Sequence, residues 1–81
     1  MKTEEIIMLI IKERNRQKGQ NKGPITDARD AVFYMIGELG ESVDEFKNGK
    51  FALGVKEFIE AMTVGWAFLE EVDLKEIEHV F

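Results

Sequence analysis

The stretch Phe51 to Glu71, FALGVKEFIEAMTVGWAFLEE, most constrains what the chain can fold into. At about 100° per residue, Val55, Phe58, Ile59, Met62, Trp66 and Leu69 form one apolar stripe of a helix. The opposite side is apolar too, with Leu53, Ala61, Val64, Ala67 and Phe68 set around Glu57 and Glu60. A helix apolar nearly all round is buried nearly all round. A chain of 81 residues can hardly cover both sides alone. The expected fold is therefore all-α, an antiparallel helical hairpin completed to a bundle by dimerisation. No stretch alternates convincingly at period two, and no sheet is expected.

Punctuation along the chain divides it into four helices, at about 3–18, 27–47, 51–71 and 74–80. The polar, basic segment Glu13 to Pro24 is the one clear break. Thr26 or Asp27 can cap the second helix, with Asp30 in its first turn. Asn48-Gly49 is a stop signal, and Asp73 reads as the cap of a short last helix. All of this fits one domain, residues 1–81, with an N-terminal helix and basic loop (1–24) ahead of a helical core (25–81) that would bind metal.

The second helix carries Val32, Met35, Ile36, Leu39, Val43 and Phe46 on one stripe. Glu38 and Glu41 lie about 110° and 170° from its centre, which taken alone places them on a solvated face. Glu57 and Glu60 read differently, because an apolar setting rarely holds carboxylates without a partner. Residues i and i+3 share a helix face, and 15 residues separate Glu41 from Glu57. A tight turn at Asn48-Gly49 can bring the two pairs level. Four converging carboxylates would raise one another's pKa values. A hard divalent cation removes that conflict, and all-oxygen ligation suits Mg2+, or Mn2+, rather than zinc. Gly37 and Gly40 would let a helix or ligand come close, or simply accommodate a bulky neighbour such as Trp66.

These residues resemble the MazG family of all-α nucleoside triphosphate pyrophosphohydrolases, whose pattern is E-x-x-E on one helix and E-x-x-D on the next. Glu38, Glu41 and Glu57 match it, Glu60 stands where the family has aspartate, and the likeness spans about residues 27 to 78, including Asp73-Leu74-Lys75-Glu76-Ile77. The resemblance implies hydrolysis of a nucleoside triphosphate to a monophosphate and pyrophosphate by a homodimer or homotetramer. It further implies that Glu38, Glu41, Glu57 and Glu60 hold magnesium, and that Glu41 or Glu38 acts in catalysis. The extra methylene of Glu60 moves its oxygens outward by about one bond length, against the near-octahedral demand of magnesium.

Lys47 and Lys50, at the turn, are candidates for binding the substrate's phosphates, or else helix-end charges. Arg14, Arg16, Lys18 and Lys22 form a basic loop that could close over a triphosphate or serve as linker. Phe33 and Tyr34 could stack on a base but read more readily as packing residues, as Trp66 reads as core and His79 as a helix-end charge. The net charge of −5 argues against a nucleic-acid polymer as partner. The chain has no cysteine, and the apolar run Ile6 to Ile11 is far too short to span a bilayer, so no membrane and a cytoplasmic location are expected. Two further readings stay open: a MazG-like oligomerisation or nucleotide-sensing module without catalysis, and a plain helical interaction domain whose glutamates face water.

Overall fold

The computed structural model describes residues 1–20 and 25–81, all helices and connections with no strand among them. The helices are α1 (Thr3–Gly19), α2 (Ala28–Lys47), α3 (Phe51–Leu69) and α4 (Leu74–Ile77), followed by a 3-10 turn, Glu78–Val80. Helix α1 ends at Gly19, close to the expected end at about residue 18, so Arg14, Arg16 and Lys18 stand on helix and not in a loop; Lys22 and the end of the polar segment lie outside the described residues. Glu13 holds this end of the helix. Its carboxylate, mostly buried, takes Nε and Nη2 of Arg16 at 2.6 Å each and Nε2 of Gln17 at 3.0 Å, pairs that i,i+3 and i,i+4 spacing creates only in a helix.

The helix ends obey local chemistry. Asp27 caps α2 by accepting the backbone N–H groups of Arg29 and Asp30 at 2.8 and 3.1 Å, and Asp73 caps α4 through Lys75 N–H. At the other end of α2, Gly49 takes a φ of +72°. Its N–H donates to the Phe46 carbonyl while Lys50 N–H donates to the Glu45 carbonyl. That pair of bonds is the Schellman stop, for which glycine is suited because a Cβ disfavours positive φ. Phe46 and Phe51 meet across the turn with ring centres 5.8 Å apart.

The turn makes α2 and α3 an antiparallel hairpin, and α1 lies against α3. Only one edge of each apolar stripe lies in the contact, where Met35 reaches Gly65 and the Phe46 ring reaches Gly54. On α2 the buried residues are Ala31 and Ser42, with Glu38 and Glu45 half-buried on the same side. That face is turned about 100° from the stripe centre. Val32, Ile36, Val43 and Phe46 of the stripe are exposed, and so are Phe58, Met62, Trp66 and Leu69 of α3, which corrects the expectation that Trp66 is core. The reason is size. Gly54, Ala61, Thr63, Val64 and Ala67 line the buried sides of α3, and small residues let helix backbones approach where Phe and Trp would hold them apart.

Gly54 shows how close the approach is. Ser42 Oγ, fully buried, donates to the Gly54 carbonyl at 2.7 Å, and a Cβ on Gly54 would run into the Phe46 ring. Gly37 and Gly40, expected to admit a neighbour, have open space where a Cβ would stand. Within one chain they serve no close contact. Gly54→Val should therefore destabilise the fold by about 1–3 kcal/mol through overpacking, whereas Gly37→Ala and Gly40→Ala should each stabilise it by up to about 1 kcal/mol. Urea denaturation followed by circular dichroism checks both signs.

Candidate metal centre

The same close approach decides where the carboxylates go. Glu38 and Glu41 of α2 and Glu57 of α3 each offer an oxygen, and the three oxygens lie within 4.8 Å of one another. Glu38 and Glu57 are half-buried and Glu41 is exposed. Glu38 and Glu41 are thus brought inside the hairpin or to its rim, not onto a separate solvated face. Oε2 of Glu38 and Oε2 of Glu57 are both shut off from water and lack a hydrogen-bond partner among the described residues. An orphaned buried carboxylate oxygen is costly.

Glu60 stands beside this set without joining it. Its Oε1 lies 3.8 Å from Arg16 Nη2 and 3.8 Å from Lys56 Nζ. Two cations thus attend the fourth carboxylate, and among the described residues none attends the other three as closely. Arg16 comes from α1, so the N-terminal helix is part of the site's electrostatics.

Burial is the largest cause of an upward pKa shift at Glu38 and at Glu57, which is pushed up to about 8. Hydrogen bonding of the protonated carboxyl to Glu60, Glu41 and Glu38, and the like charge of Glu60, add to it at Glu57. Without an ion, then, the cluster accommodates itself by holding a proton. The donors also fit a hard divalent cation: all are carboxylate oxygens, and Glu38 and Glu57 each bury an oxygen without a hydrogen-bond partner among the described residues. Oxygens on one magnesium, at about 2.1 Å each, stand at most about 4.2 Å apart, and those on calcium about 5 Å. The observed spacing therefore suits the class of ion without choosing magnesium within it.

Lys47 and Lys50 are exposed at the hairpin turn. Neither lines the cavity of about 520 Å³ that opens beside the carboxylates, which is bounded in part by Arg14, Arg16, Tyr34, Glu38, Glu60 and Ala67. Phe33 is exposed and His79 sits exposed in the final 3-10 turn. Sequence reasoning missed Glu45, whose Oε2 is likewise buried without a partner among the described residues. Its signal was present: it follows Glu38 by seven residues and Glu41 by four, the spacing of one helix face. Glu13 was missed too, because its place in the expected first helix does not show that its carboxylate is buried. No family model, curated protein or solved structure matches the chain.

The pKa shifts have a measurable consequence. Glu57 is raised from 4.5 to about 8, so between those values the folded chain keeps a proton that the unfolded chain releases. Its stabilising effect is complete below about pH 4.5 and lost as pH rises through about 8, and Glu38 acts in the same direction. Glu13, held low chiefly by its hydrogen bonds from Arg16, and Glu70, held low chiefly by Arg14, act oppositely, and their contribution is lost as pH falls below the ordinary carboxylate range. The thermal midpoint of the metal-free chain should thus decline from about pH 6 to about pH 9. Magnesium should raise it more at the alkaline end, where the ligands are already deprotonated. Circular dichroism melts with and without magnesium give both trends.

Proposed function

We propose that the chain is a magnesium-dependent nucleoside triphosphate pyrophosphohydrolase. The observation that carries the reading is the convergence of Glu38, Glu41 and Glu57 from two helices, with two carboxylate oxygens buried and unpaired. The all-carboxylate donors and the adjoining cavity support it. So does the resemblance of the paired Glu-x-x-Glu motifs to those of the MazG family. Magnesium, or manganese, when bound would neutralise the triphosphate and favour ionisation of a water. Glu38 and Glu57, anchored in the hairpin, hold the site's negative charge in place. Glu41, the exposed member, would orient the attacking water and take its proton. Water adds to the α-phosphorus, the bond from that phosphorus to the α,β-bridging oxygen breaks, and pyrophosphate leaves with that oxygen.

The exposed stripes of α2 and α3 support a homodimer, because patches of Ile, Val, Phe, Met and Trp on an isolated helical chain mark an interface. Sedimentation at micromolar concentration should give twice the chain mass or a higher multiple; a monomer counts against this assembly. A second reading, a nucleotide-sensing or oligomerisation module without turnover, is favoured by one observation. Glu60, which stands where the family has aspartate, is attended by Arg16 and Lys56 and is not one of the three residues whose oxygens converge.

Pyrophosphate release with magnesium across a nucleotide panel separates the two. The hydrolase reading expects release from wild type and a loss of roughly 10²-fold or more in Glu41→Gln, with helicity retained. Binding of magnesium without release from any nucleotide favours the module.

A further inference from the structure

The cavity beside the carboxylates is lined by groups of both charges. Glu38 and Glu60 line it together with Arg14 and Arg16 of α1, with Arg16 Nη2 3.8 Å from Glu60 Oε1; Asp27 and Asp30 add to its acidic lining. Asp27 is engaged in capping α2. With four acidic groups and two basic ones, such a cavity repels a free anion and accepts one that arrives with a divalent cation. Its volume, about 520 Å³, falls in the range of roughly 300–1,000 Å³ typical of small-molecule sites.

Each arginine is held by a carboxylate through its Nε, and Arg16 through Nη2 as well. Arg14 donates Nε to Glu70 at 2.8 Å, and among the described residues its terminal nitrogens make no hydrogen bond. Arg16 gives Nε and Nη2 to Glu13 and leaves Nη1 uncommitted, with its side chain about half exposed. Each carboxylate fixes a guanidinium in orientation, as Glu70 and Glu13 do here, while outward N–H groups remain. A planar fork with spare donors matches phosphate oxygens better than the point charge of a lysine.

We propose that Arg14 and Arg16 are the groups that position the phosphate chain of a cation-bound nucleoside triphosphate in this cavity. The proposal rests on the pyrophosphohydrolase reading for the identity of the ligand. It assigns the phosphate contacts to α1, beside Glu38 and Glu60, and not to the turn lysines. Arg16 has a second consequence. Drawn toward phosphate, it would loosen its hold on Glu60, so ligand binding and the fourth carboxylate are linked through one side chain.

The test uses magnesium tripolyphosphate and calorimetry on the whole chain, with magnesium alone titrated separately. Arg14→Gln and Arg16→Gln should each weaken magnesium tripolyphosphate at least 10-fold; Arg14→Gln should leave the affinity for magnesium alone unchanged, and Arg16→Gln, which removes a cation beside Glu60, should not lower it. The lysine variants Arg14→Lys and Arg16→Lys should recover only part of the loss. Unchanged affinity in the glutamine variants overturns the proposal and leaves the metal reading standing. A loss confined to a Lys47→Gln/Lys50→Gln double variant overturns it as well.

Because Arg16→Gln could unfold α1 by freeing Glu13, the wild-type chain provides an independent readout. The side-chain Nε–H signals of Arg14 and Arg16 should shift in nuclear magnetic resonance spectra on adding magnesium tripolyphosphate. Signals that stay in place overturn the proposal. If they shift while magnesium alone does not bind, the arginine assignment stands and the metal reading falls. A nonhydrolysable nucleoside triphosphate that binds more tightly than tripolyphosphate identifies the nucleotide as the source of the phosphate chain, whereas equal affinity assigns the site to the chain alone; both keep the arginine assignment.

Discussion

The contact between Ser42 and Gly54 sets the distance between α2 and α3, and much else depends on that distance. Ser42 Oγ reaches the Gly54 carbonyl directly, and the Phe46 ring occupies the room that a side chain on Gly54 would need. With the helices this near, Glu38, Glu45 and Glu57 cannot all turn their oxygens to water. Apolar packing alone would place leucine or alanine at those positions, since each unpaired buried oxygen costs stability. Such a cost retained in a small domain points to a ligand that removes it.

Two ligands can do so. A proton is the simpler, and the elevated pKa of Glu57 describes that state. A divalent cation is the other, and it competes with the proton for the same oxygens. Helix α1 belongs to this balance through charge as well as packing. Glu13 holds Arg16, Arg16 lies near Glu60, and Arg14 reaches Glu70 beyond the end of α3. The N-terminal helix is therefore tied by ion pairs to the element that carries half of the carboxylates.

Much of this was legible in the residues. Asp27, Gly49 and Asp73 mark helix ends by local chemistry, which acts over three or four residues and is read directly. The i,i+3 glutamates needed only helical periodicity and a short turn to be brought together. What was not legible is the rotation of the helices. Periodicity locates an apolar stripe, yet it does not say whether that stripe meets the same chain. Here Ala31, Ser42, Gly54 and Ala61 allow the hairpin to close on a neighbouring face, while Val43, Phe58 and Trp66 remain outside. Glu45 escaped notice for the same reason, since its burial follows from the rotation. Glu60 was read by spacing alone, and spacing carries no information about the Arg16 that approaches from another helix.

The central claim is that Glu38, Glu41 and Glu57 form one cation site. Titrating manganese into the isotopically labelled chain and following backbone amide broadening tests it most directly, because paramagnetic relaxation falls off steeply with distance from the ion. The account predicts that substoichiometric manganese broadens the amides around residues 38–41 and 57–60 first and that magnesium reverses the effect. Broadening spread evenly over exposed acidic positions such as Asp44, Glu71 and Glu76, with the hairpin interior unaffected, would contradict it.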